Sequence, residues 1–266
     1  MKFVPFVIVT ITLILSVGCD QNNQAGKIYK EAEKLYSEKE YNKAKLLIDS
    51  ILTTHPKNIE FATRSKELLR IITRAEQENS LKFLDSLLKA KELELTPLLE
   101  NFEENLEVGE IPVLVHKRQK IENSFSRSYL MAYLNKAGEF YLSSRYVGKQ
   151  RIHHNQIKVY HQSLSAESET IEEDGLLNRS FDDGEWHWEI INFKENRDNG
   201  IADFISSHYD KPLKIEYIGK TRHYIVMEPY DKEAIRDAYE ISFLLRETEK
   251  IKEQIKNVKS TLNQMN

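Results

Sequence analysis

Apolar residues recur at helical spacing through the N-terminal part of this chain. Between residues 25 and 36, and again between residues 44 and 52, apolar side chains fall three or four positions apart, which places them on one face of a helix. A polar break separates the two segments. Pro56 ends the second segment, because the residue before a proline is disfavoured in the α region. The pattern predicts two short helices joined by a turn.

A longer helical segment comes next. Leucine and isoleucine repeat along one side of Ile59–Leu95 while charges occupy the other side, so the spacing predicts one long helix. Pro97 is expected to break this helix, and a further short helix is predicted at Leu98–Leu106. A domain boundary is predicted at Val108–Ile111, where the helical spacing ends.

Short runs rich in aromatic and β-branched residues replace the helical spacing beyond residue 111, and they predict β-strands. The predicted strands cover residues 128–134, 139–147, 156–162, 167–171, 185–193, 213–218 and 221–227. Two hairpins are expected, one through Asn135–Gly138 and one through the two-residue turn Gly219–Lys220. A short helix is predicted from Asp198 or Asn199 to His208.

A second long helix is predicted from Asp231 to Gln264, with Asp231 as its N-cap. From Ile251 to Met265 the apolar residues repeat at intervals of 4, 3, 4 and 3, which is the spacing of a coiled coil. The helix is about 50 Å long, so its distal half needs a helical partner. We favour pairing with Ile59–Leu95 of the same chain. The alternative is pairing between two copies, which would make a dimer.

These elements together predict an α+β fold. Residues 25–108 form a helical domain, residues 111–229 form an antiparallel, β-rich α+β domain, and residues 230–266 form the long C-terminal amphipathic helix. The sequence balances 38 basic against 42 acidic side chains and has no strongly basic segment. It therefore lacks the charge that binding to a nucleic-acid backbone requires.

The first helix pair resembles a single tetratricopeptide repeat, a helix–turn–helix of about 34 residues. The residues of segment 25–58 that fall in the register of that family are Ala32, Tyr41, Ala44, Leu52 and Pro56. Ile28, Glu31 and Lys39 depart from it, and Lys39 stands where the family has a turn glycine. No second repeat follows, and one repeat cannot bury its own outer face. The resemblance therefore implies docking on another part of this chain or on a protein partner.

The N-terminus has the layout of an export signal. Lys2 precedes an uncharged, apolar run from Phe3 to Val17, and a small residue, Gly18, comes directly before Cys19. The segment Leu15-Ser16-Val17-Gly18-Cys19 resembles the lipobox of bacterial lipoproteins, with serine where a leucine is usual.

The lipobox resemblance implies both processing and location. Residues 1–18 would be the signal peptide, Cys19 would carry lipid such as palmitate, and residues 19–24 would tether the chain to a membrane. The expected location is the bacterial cell envelope, at the outer membrane or cell surface in a Gram-negative cell. Cys19 is the only cysteine, so no thiol would remain for a disulfide or a nucleophile.

Aromatic and acidic residues concentrate in one predicted strand. Alternation places Trp186 and Trp188 on one face, and Glu185, His187 and Glu189 on the other. Exposed tryptophan rings would form a stacking platform for a sugar or peptide, whereas buried rings would belong to the core. Glu185 and Glu189 lie about 13 Å apart, too far for the paired carboxylates of a glycosidase.

Three other groups of residues have side chains that could bind a metal, act as a nucleophile or bind phosphate. None of them has the sequence spacing that these functions require. They are the histidines His153, His154, His161 and His187, the serines Ser143, Ser144 and Ser163, and the tripeptide Gly219-Lys220-Thr221. The histidines lack a chelating spacing, the serines lack the glycines of a nucleophile elbow, and the tripeptide lacks the upstream glycine of a phosphate-binding loop. No metal and no cofactor is therefore expected.

The expected function is non-enzymatic. The sequence predicts a membrane-anchored envelope lipoprotein that acts as a protein-interaction or ligand-presenting module, with a protein partner bound through the helical repeat. The alternative is a carbohydrate- or peptide-binding lipoprotein that uses Trp186 and Trp188.

Overall fold

The structure is a computed structural model that describes residues 17–106, 112–119, 124 and 126–265, with side chains from residue 23 onward. The predicted α+β class is confirmed, since helices and two antiparallel sheets are both present. The chain forms two compact units, one made of residues up to 86 together with those from 254 onward, and one made of residues 87–253. The boundary predicted at Val108–Ile111 lies outside the described residues. Among the described residues, no helix combines the length and apolar character that a membrane span requires.

The first unit contains α1 (Val17–Ser37), α2 (Tyr41–Thr54) and the N-terminal part of α3 (Ile59–Leu99). The predicted helix pair and the long helix after it are therefore confirmed. Ala32 and Ala44 have no exposed surface, so α1 and α2 approach closely at these small residues. The remaining core side chains of this unit are Tyr29, Ile48, Ile51, Leu68 and Ile72. Because Leu68 and Ile72 belong to α3, the helix pair docks on a helix of its own chain.

The turn between α1 and α2 contains Lys39 in the left-handed region, with φ +63°. The amide of Lys39 donates to Tyr36 O at 3.0 Å, and the amide of Glu40 donates to Leu35 O at 2.9 Å. This pair of bonds is a Schellman motif, which closes a helix around one left-handed residue, most often glycine. Glycine would adopt this left-handed conformation without the steric cost that the Cβ of Lys39 brings.

The predictions around Pro97 are wrong. α3 continues through Pro97 to Leu99, and the segment predicted as a further helix instead contains strand β1 (Phe102–Asn105). Pro97 lies in the last turn, where only two more helical residues follow it. β1 pairs with β2 (Val113–His116), and Phe102 of β1 is buried. Pairing and burial here override the helical propensity of the leucine-rich sequence.

The second unit contains the other strands, and each pairs antiparallel with its neighbours. In chain order they are β3 (Tyr129–Leu134), β4 (Phe140–Gly148), β5 (Gln156–His161), β6 (Leu164–Glu167), β7 (Asn178–Asp183), β8 (Trp186–Phe193), β9 (Lys214–Ile218) and β10 (Arg222–Val226). One sheet has the order β1-β2-β3-β4-β8-β7, and the other has the order β10-β9-β5-β6. A 3₁₀ turn, Lys117–Gln119, follows β2.

Most strand predictions are confirmed, and two need correction. The hairpin through Asn135–Gly138 joins β3 to β4 as expected. The β9–β10 hairpin is also present, but its loop spans 219–221, one residue longer than predicted, because Ile218 pairs with Arg222. No strand occupies 168–171 of the described chain; β6 ends at Glu167. The predicted short helix is present as α4 (Ile201–Ser207), but its N-cap is Gly200 rather than Asp198 or Asn199. Asp198 still accepts a hydrogen bond from the amide of Ala202 at 3.0 Å.

The long C-terminal helix, α5 (Pro229–Gln264), begins two residues before its predicted N-cap. Proline suits a first helical position, because its missing N–H would have no partner there. Asp231 does not cap the helix; its buried carboxylate accepts from Gln119 Nε2 at 2.9 Å and forms an ion pair with Arg127. The N-cap prediction is therefore wrong.

Among the described residues of the second unit, the larger of two apolar clusters involves α5, and the smaller one contains Val113, Val115, Tyr129, Met131 and Tyr133 of β2 and β3. α5 contributes Ile235, Ala238, Ile241 and Leu244, which pack with side chains of both sheets, of α4 and of the C-terminal end of α3. Lys91 of α3 and Glu247 of α5 form an ion pair at 3.2 Å. The predicted packing of the C-terminal helix on α3 is confirmed. Pairing between two copies stays a prediction.

Candidate functional site

The predicted lipidation site lies near the start of the described chain. Cys19 is the third residue of α1, and its side chain falls outside the described part of the structure, as do residues 1–16. Lipidation of Cys19 therefore stays a prediction.

The two tryptophans lie on one face of β8, as alternation requires, but they differ in exposure. Trp186 is 43% exposed and Trp188 is 6% exposed. Phe181 of β7 lies directly opposite Trp188, stacks on it with centroids 5.9 Å apart, and is itself 46% exposed. Lys149 Nζ lies 5.6 Å from the ring centre of Trp186. The accessible aromatic side chains are therefore Phe181 and Trp186, and the buried Trp188 stacks on Phe181.

Glu185, which precedes β8, and Glu189, which lies within it, have different environments. Glu185 lies in the β7–β8 turn, where its exposed carboxylate pairs with Lys149 at 3.4 Å. The turn needs Gly184, whose φ is +62°, at its first position. Glu189 is buried in the sheet. Glu185 and Glu189 therefore do not form an acid and base pair.

Glu189 is held by four donors. Its Oε1 accepts from the amides of Ile152 and His153, each at 2.8 Å. Its Oε2 accepts from the amide of His154 at 2.8 Å and from the His154 ring Nδ1 at 2.9 Å. Burial alone would raise the pKa of Glu189, but these hydrogen bonds outweigh it and hold the pKa below its ordinary value.

His154 links Glu189 to a serine. A neutral imidazole that donates through Nδ1 accepts through Nε2, and the Ser144 hydroxyl lies 3.0 Å from that atom. Ser144, His154 and Glu189 are thus connected in the order of a hydrolase triad. Ser144, however, has no exposed surface, and His154 and Glu189 are also buried. A nucleophile must reach its substrate, so this relay orders the sheet and the adjoining 152–154 segment.

Sequence patterns could not reveal this relay. Ser144, His154 and Glu189 come from β4, a loop and β8, and they share no local motif. They meet because β4 pairs with β8 and because the loop after β4 folds back over Glu189. The one available signal was that β8 places a carboxylate on the face opposite its tryptophans.

An open cleft of about 450 Å³ lies above this relay. Its buried floor includes His154, Asn178 and Glu189. Its exposed rim includes Glu172, Glu173, His153 and Lys220. The cleft thus combines a floor of engaged polar groups with a rim of carboxylates, an imidazole and an ammonium group.

The β9–β10 turn closes one side of the cleft. The amide of Lys220 donates to Ile152 O at 2.8 Å, and the amide of Asn155 donates to Ile218 O at 3.0 Å. A Cβ at Gly219 would collide with the carbonyl oxygens of Ile152 and His153. Glycine is therefore needed here for close approach of two backbones.

A polar chain fixes the β7 side of the cleft. The Ser180 hydroxyl donates to Glu173 at 2.8 Å and accepts from Arg151 at 3.2 Å. Arg151 also donates to Asp182 at 2.7 Å, and His187 lies 2.5 Å from the same carboxylate oxygen. Hydrogen bonds from His187 and from Arg151 hold the pKa of Asp182 below its ordinary value.

Across the described ranges, no three side chains of His, Cys, Asp or Glu are grouped so that they could hold a metal ion. Comparison of the chain with protein-family models, with curated proteins and with solved structures gave no match. The case for function therefore rests on the geometry of the chain itself.

Proposed function

We propose that this chain is a lipid-anchored, non-enzymatic binding protein of the bacterial cell envelope, and that its α+β unit presents a ligand in the cleft. The cleft carries this proposal: accessible polar groups surround a space of about 450 Å³ above a fixed, buried floor. That volume lies within the range of roughly 300–1,000 Å³ found for small-molecule sites.

Binding explains the cleft better than catalysis does. The carboxylate of Glu189 already accepts four hydrogen bonds, and its lowered pKa keeps it ionised at neutral pH. A general acid or base needs a proton-transfer path to substrate and a pKa near the working pH. Ser144 lies beneath the surface and has no contact with solvent. The accessible groups, Glu172, Glu173 and Lys220, are suited to hydrogen bonding and charge pairing.

The lining indicates the class of ligand. Most small-molecule sites are apolar with few polar groups, whereas this cleft has acidic, basic and amide groups around its rim. Such a lining matches a ligand that carries both donors and acceptors, of the size of a disaccharide or a dipeptide. We therefore propose a sugar or a short peptide as the ligand.

Titration calorimetry with a panel of mono- and disaccharides and dipeptides tests this proposal. A panel member should bind, and Glu172→Gln and Lys220→Ala should each weaken its binding about 10-fold, the loss expected for a hydrogen bond to a charged group. Glu92→Gln, an exposed glutamate on α3 outside the cleft, is the matched control and should bind as the wild type does. The proposal fails if nothing in the panel binds, or if the rim variants bind unchanged.

The anchoring part of the proposal has its own test. Export should yield a mature chain that begins at Cys19, with a mass raised by acyl groups, in the membrane fraction. Cys19→Ala should move the protein to the soluble fraction. A wild-type protein with a free thiol would contradict anchoring and would leave the cleft proposal intact.

A second candidate function rests on the exposed aromatic pair. Phe181 and Trp186 are about half exposed, and they lie on the face of the β7–β8 hairpin opposite Glu189. Stacking of a sugar ring on Trp186 would quench its fluorescence. Quenching by a glycan that is lost in Trp186→Leu but kept in Lys220→Ala would favour this surface over the cleft.

The helical unit offers a groove for a protein partner. Between α1 and α3, a space of about 330 Å³ is lined by Tyr29, Tyr36, Leu68 and Ile71 together with Glu33, Arg64 and Glu67. We propose it as the contact surface of the repeat. Loss of a cross-linked envelope partner in Tyr36→Ala, with the exposed Lys66→Ala as control, would support it; retention would count against it.

A further inference from the structure

The charged groups of the cleft rim lie on opposite sides of β5. The amide of Asn155, just before β5, donates to Ile218 O of β9 at 3.0 Å, and the carbonyl of Asn155 accepts from the amide of Ile171, after β6, at 2.8 Å. The order of the four-stranded sheet agrees with this, since β5 lies between β9 and β6. Glu172 directly follows Ile171, and Lys220 follows Ile218 by two residues. The cleft therefore has an acidic side and a basic side.

Two neighbouring carboxylates form the acidic side. Glu172 and Glu173 are both exposed and line the cleft. Glu173 is held in place, because its Oε1 accepts from the Ser180 hydroxyl at 2.8 Å. Arg151 donates to the same hydroxyl at 3.2 Å, but its ion pair is with Asp182, at 2.7 Å. A cation that enters the cleft from solvent therefore meets two carboxylates that it can reach.

The β9–β10 turn forms the basic side. Lys220 is exposed, and its backbone is fixed because its amide donates to Ile152 O at 2.8 Å. His153 lies beneath the same turn, where its carbonyl oxygen is 2.5 Å from the position that a Cβ on Gly219 would take. The backbone of His153 is in the left-handed region, with φ +51°, and its exposed side chain lines the cleft. An ammonium group and an imidazole on this side can donate to an anion.

The separation of the two sides sets the length of the ligand. Neighbouring strands lie about 4.8 Å apart, so the backbones on either side of β5 are about 10 Å apart. An extended dipeptide carries its ammonium and carboxylate at opposite ends of a chain of at most about 7 Å. The side chains of Glu172 and Lys220 are long enough to span the remaining distance. A free amino acid carries both charges on one carbon, so it is too short to reach both sides.

We infer that the ligand of the cleft is a zwitterionic dipeptide, whose ammonium group binds Glu172 and Glu173 and whose carboxylate binds Lys220. This inference rests on the proposal that the cleft binds a ligand, and it selects the peptide over the sugar. A sugar hydroxyl can bond to either charge, so a sugar would not distinguish the two sides. A dipeptide matches each side with the opposite charge, and hydrogen bonds between charged groups are about twice as strong as those between neutral groups. The two ends therefore fix the direction in which the ligand lies.

Titration calorimetry on the full-length chain tests the inference with matched ligands. The panel contains alanyl-alanine, leucyl-alanine, lysyl-alanine and glutamyl-alanine, free alanine, and the neutral disaccharides maltose and cellobiose. A dipeptide should bind more tightly than alanine and the disaccharides. Acetylation of its amino group and amidation of its carboxylate should each weaken binding at least about 10-fold, because each removes one contact between opposite charges.

Two variants show which end of the dipeptide contacts which side. Glu172→Gln should weaken binding of the free dipeptide about 10-fold and leave binding of its acetylated form unchanged, because that form has no ammonium group. Lys220→Met should weaken binding of the free dipeptide to the same extent and leave binding of the amidated form unchanged. Glu92→Gln, at an exposed glutamate of α3, should bind every ligand as the wild type does. Thermal unfolding of each variant checks that the chain is still folded.

The outcomes separate this inference from the proposed function. If a disaccharide binds and no dipeptide does, or if the acetylated and amidated dipeptides bind as tightly as the free one, the inference is overturned and the cleft proposal stands. If nothing in the panel binds, both are overturned. If Glu172→Gln weakens binding of the acetylated dipeptide as much as that of the free one, the ammonium group does not bind the acidic side and the inference is overturned. Should a variant fail to fold, the comparison of free, acetylated and amidated dipeptides on the wild type decides the question.

Discussion

Replacing Glu189 by glutamine should destabilise the second unit strongly. The carboxylate accepts from the amides of Ile152, His153 and His154 and from the ring Nδ1 of His154. A glutamine keeps one oxygen and presents an NH₂ group to donors in place of the other oxygen. Two charge-assisted hydrogen bonds are then lost, and donors face donors. At about 1.5–3 kcal/mol for each bond to a charged group, the loss of two bonds should lower the free energy of unfolding by about 3–6 kcal/mol.

Urea denaturation followed by fluorescence and circular dichroism measures this change, and the matched control is Glu185→Gln. Glu185 has the same chemistry, lies on the same hairpin and is exposed, so its substitution should stay within about 0.5 kcal/mol of the wild type. A loss below about 1 kcal/mol for Glu189→Gln would refute the argument, because it would mean that the four hydrogen bonds contribute little beyond what solvent provides.

The same residue predicts a pH dependence. The folded-state pKa of Glu189 lies below its ordinary value of 4.5. Its contribution to stability is therefore complete above pH 4.5 and is lost as the pH falls through the lower, folded-state pKa. Wild-type stability should decline through that acid range, and Glu189→Gln should show a smaller decline. Parallel pH profiles of the two proteins would contradict this assignment.

Three further substitutions test the local structure, each by chemical denaturation. Lys39→Gly should stabilise the chain by about 0.5–1 kcal/mol, because it relieves a left-handed residue in the Schellman turn; a loss of stability would contradict that reading. Gly219→Ala should lower the free energy of unfolding by about 2–3 kcal/mol, because the added Cβ would push the β9–β10 turn away from the backbone of residues 152–153. An unchanged stability would contradict the argument that Gly219 is needed for close approach. Asp231→Ala should cost about 2–3 kcal/mol by leaving the part-buried Arg127 without its partner, whereas Glu228→Ala nearby should be close to neutral.

Elements with strong periodicity were predictable from sequence. The spacing of apolar residues correctly gives α2, the long α3 and α5, because an amphipathic helix needs only local information to be recognised. The β3–β4 hairpin is also predictable, since its turn residues and aromatic runs adjoin in sequence.

Strands that lack a clear alternation of apolar and polar residues could not be predicted, because they form only through pairing with strands distant in sequence. β1 has one buried apolar residue, Phe102, in an acidic stretch, and its identity as a strand comes from β2. β7 has the sequence Asn-Arg-Ser-Phe-Asp-Asp, which gives no apolar alternation, and it forms because β8 offers a complementary edge. The intrinsic β-strand propensity of a residue therefore predicts little at such edge positions.

The candidate sites were less predictable than the fold. Four histidines lie close together in sequence without a chelating spacing, and nothing in that pattern indicates that His154 is buried while His153 lies at the cleft rim. The Trp186 and Trp188 pair was placed correctly on one face, yet the difference in their exposure depends on Phe181 and on what surrounds the sheet. The burial of Arg145 in β4 was also not predictable, because a charged residue in a strand is ordinarily exposed to solvent.

Strand β4 determines how the floor of the cleft relates to the opposite face of the sheet. Because successive side chains of a strand alternate, Ser144 supports His154 beneath the cleft while Ser143 and Arg145 lie on the opposite face. A register shift of one residue would exchange these sets, so the hydrogen bonds that Glu189 accepts also fix Arg145 on its own face. A substitution of Ser143 or Arg145 that changes ligand binding in the cleft would therefore have to act by moving β4 itself.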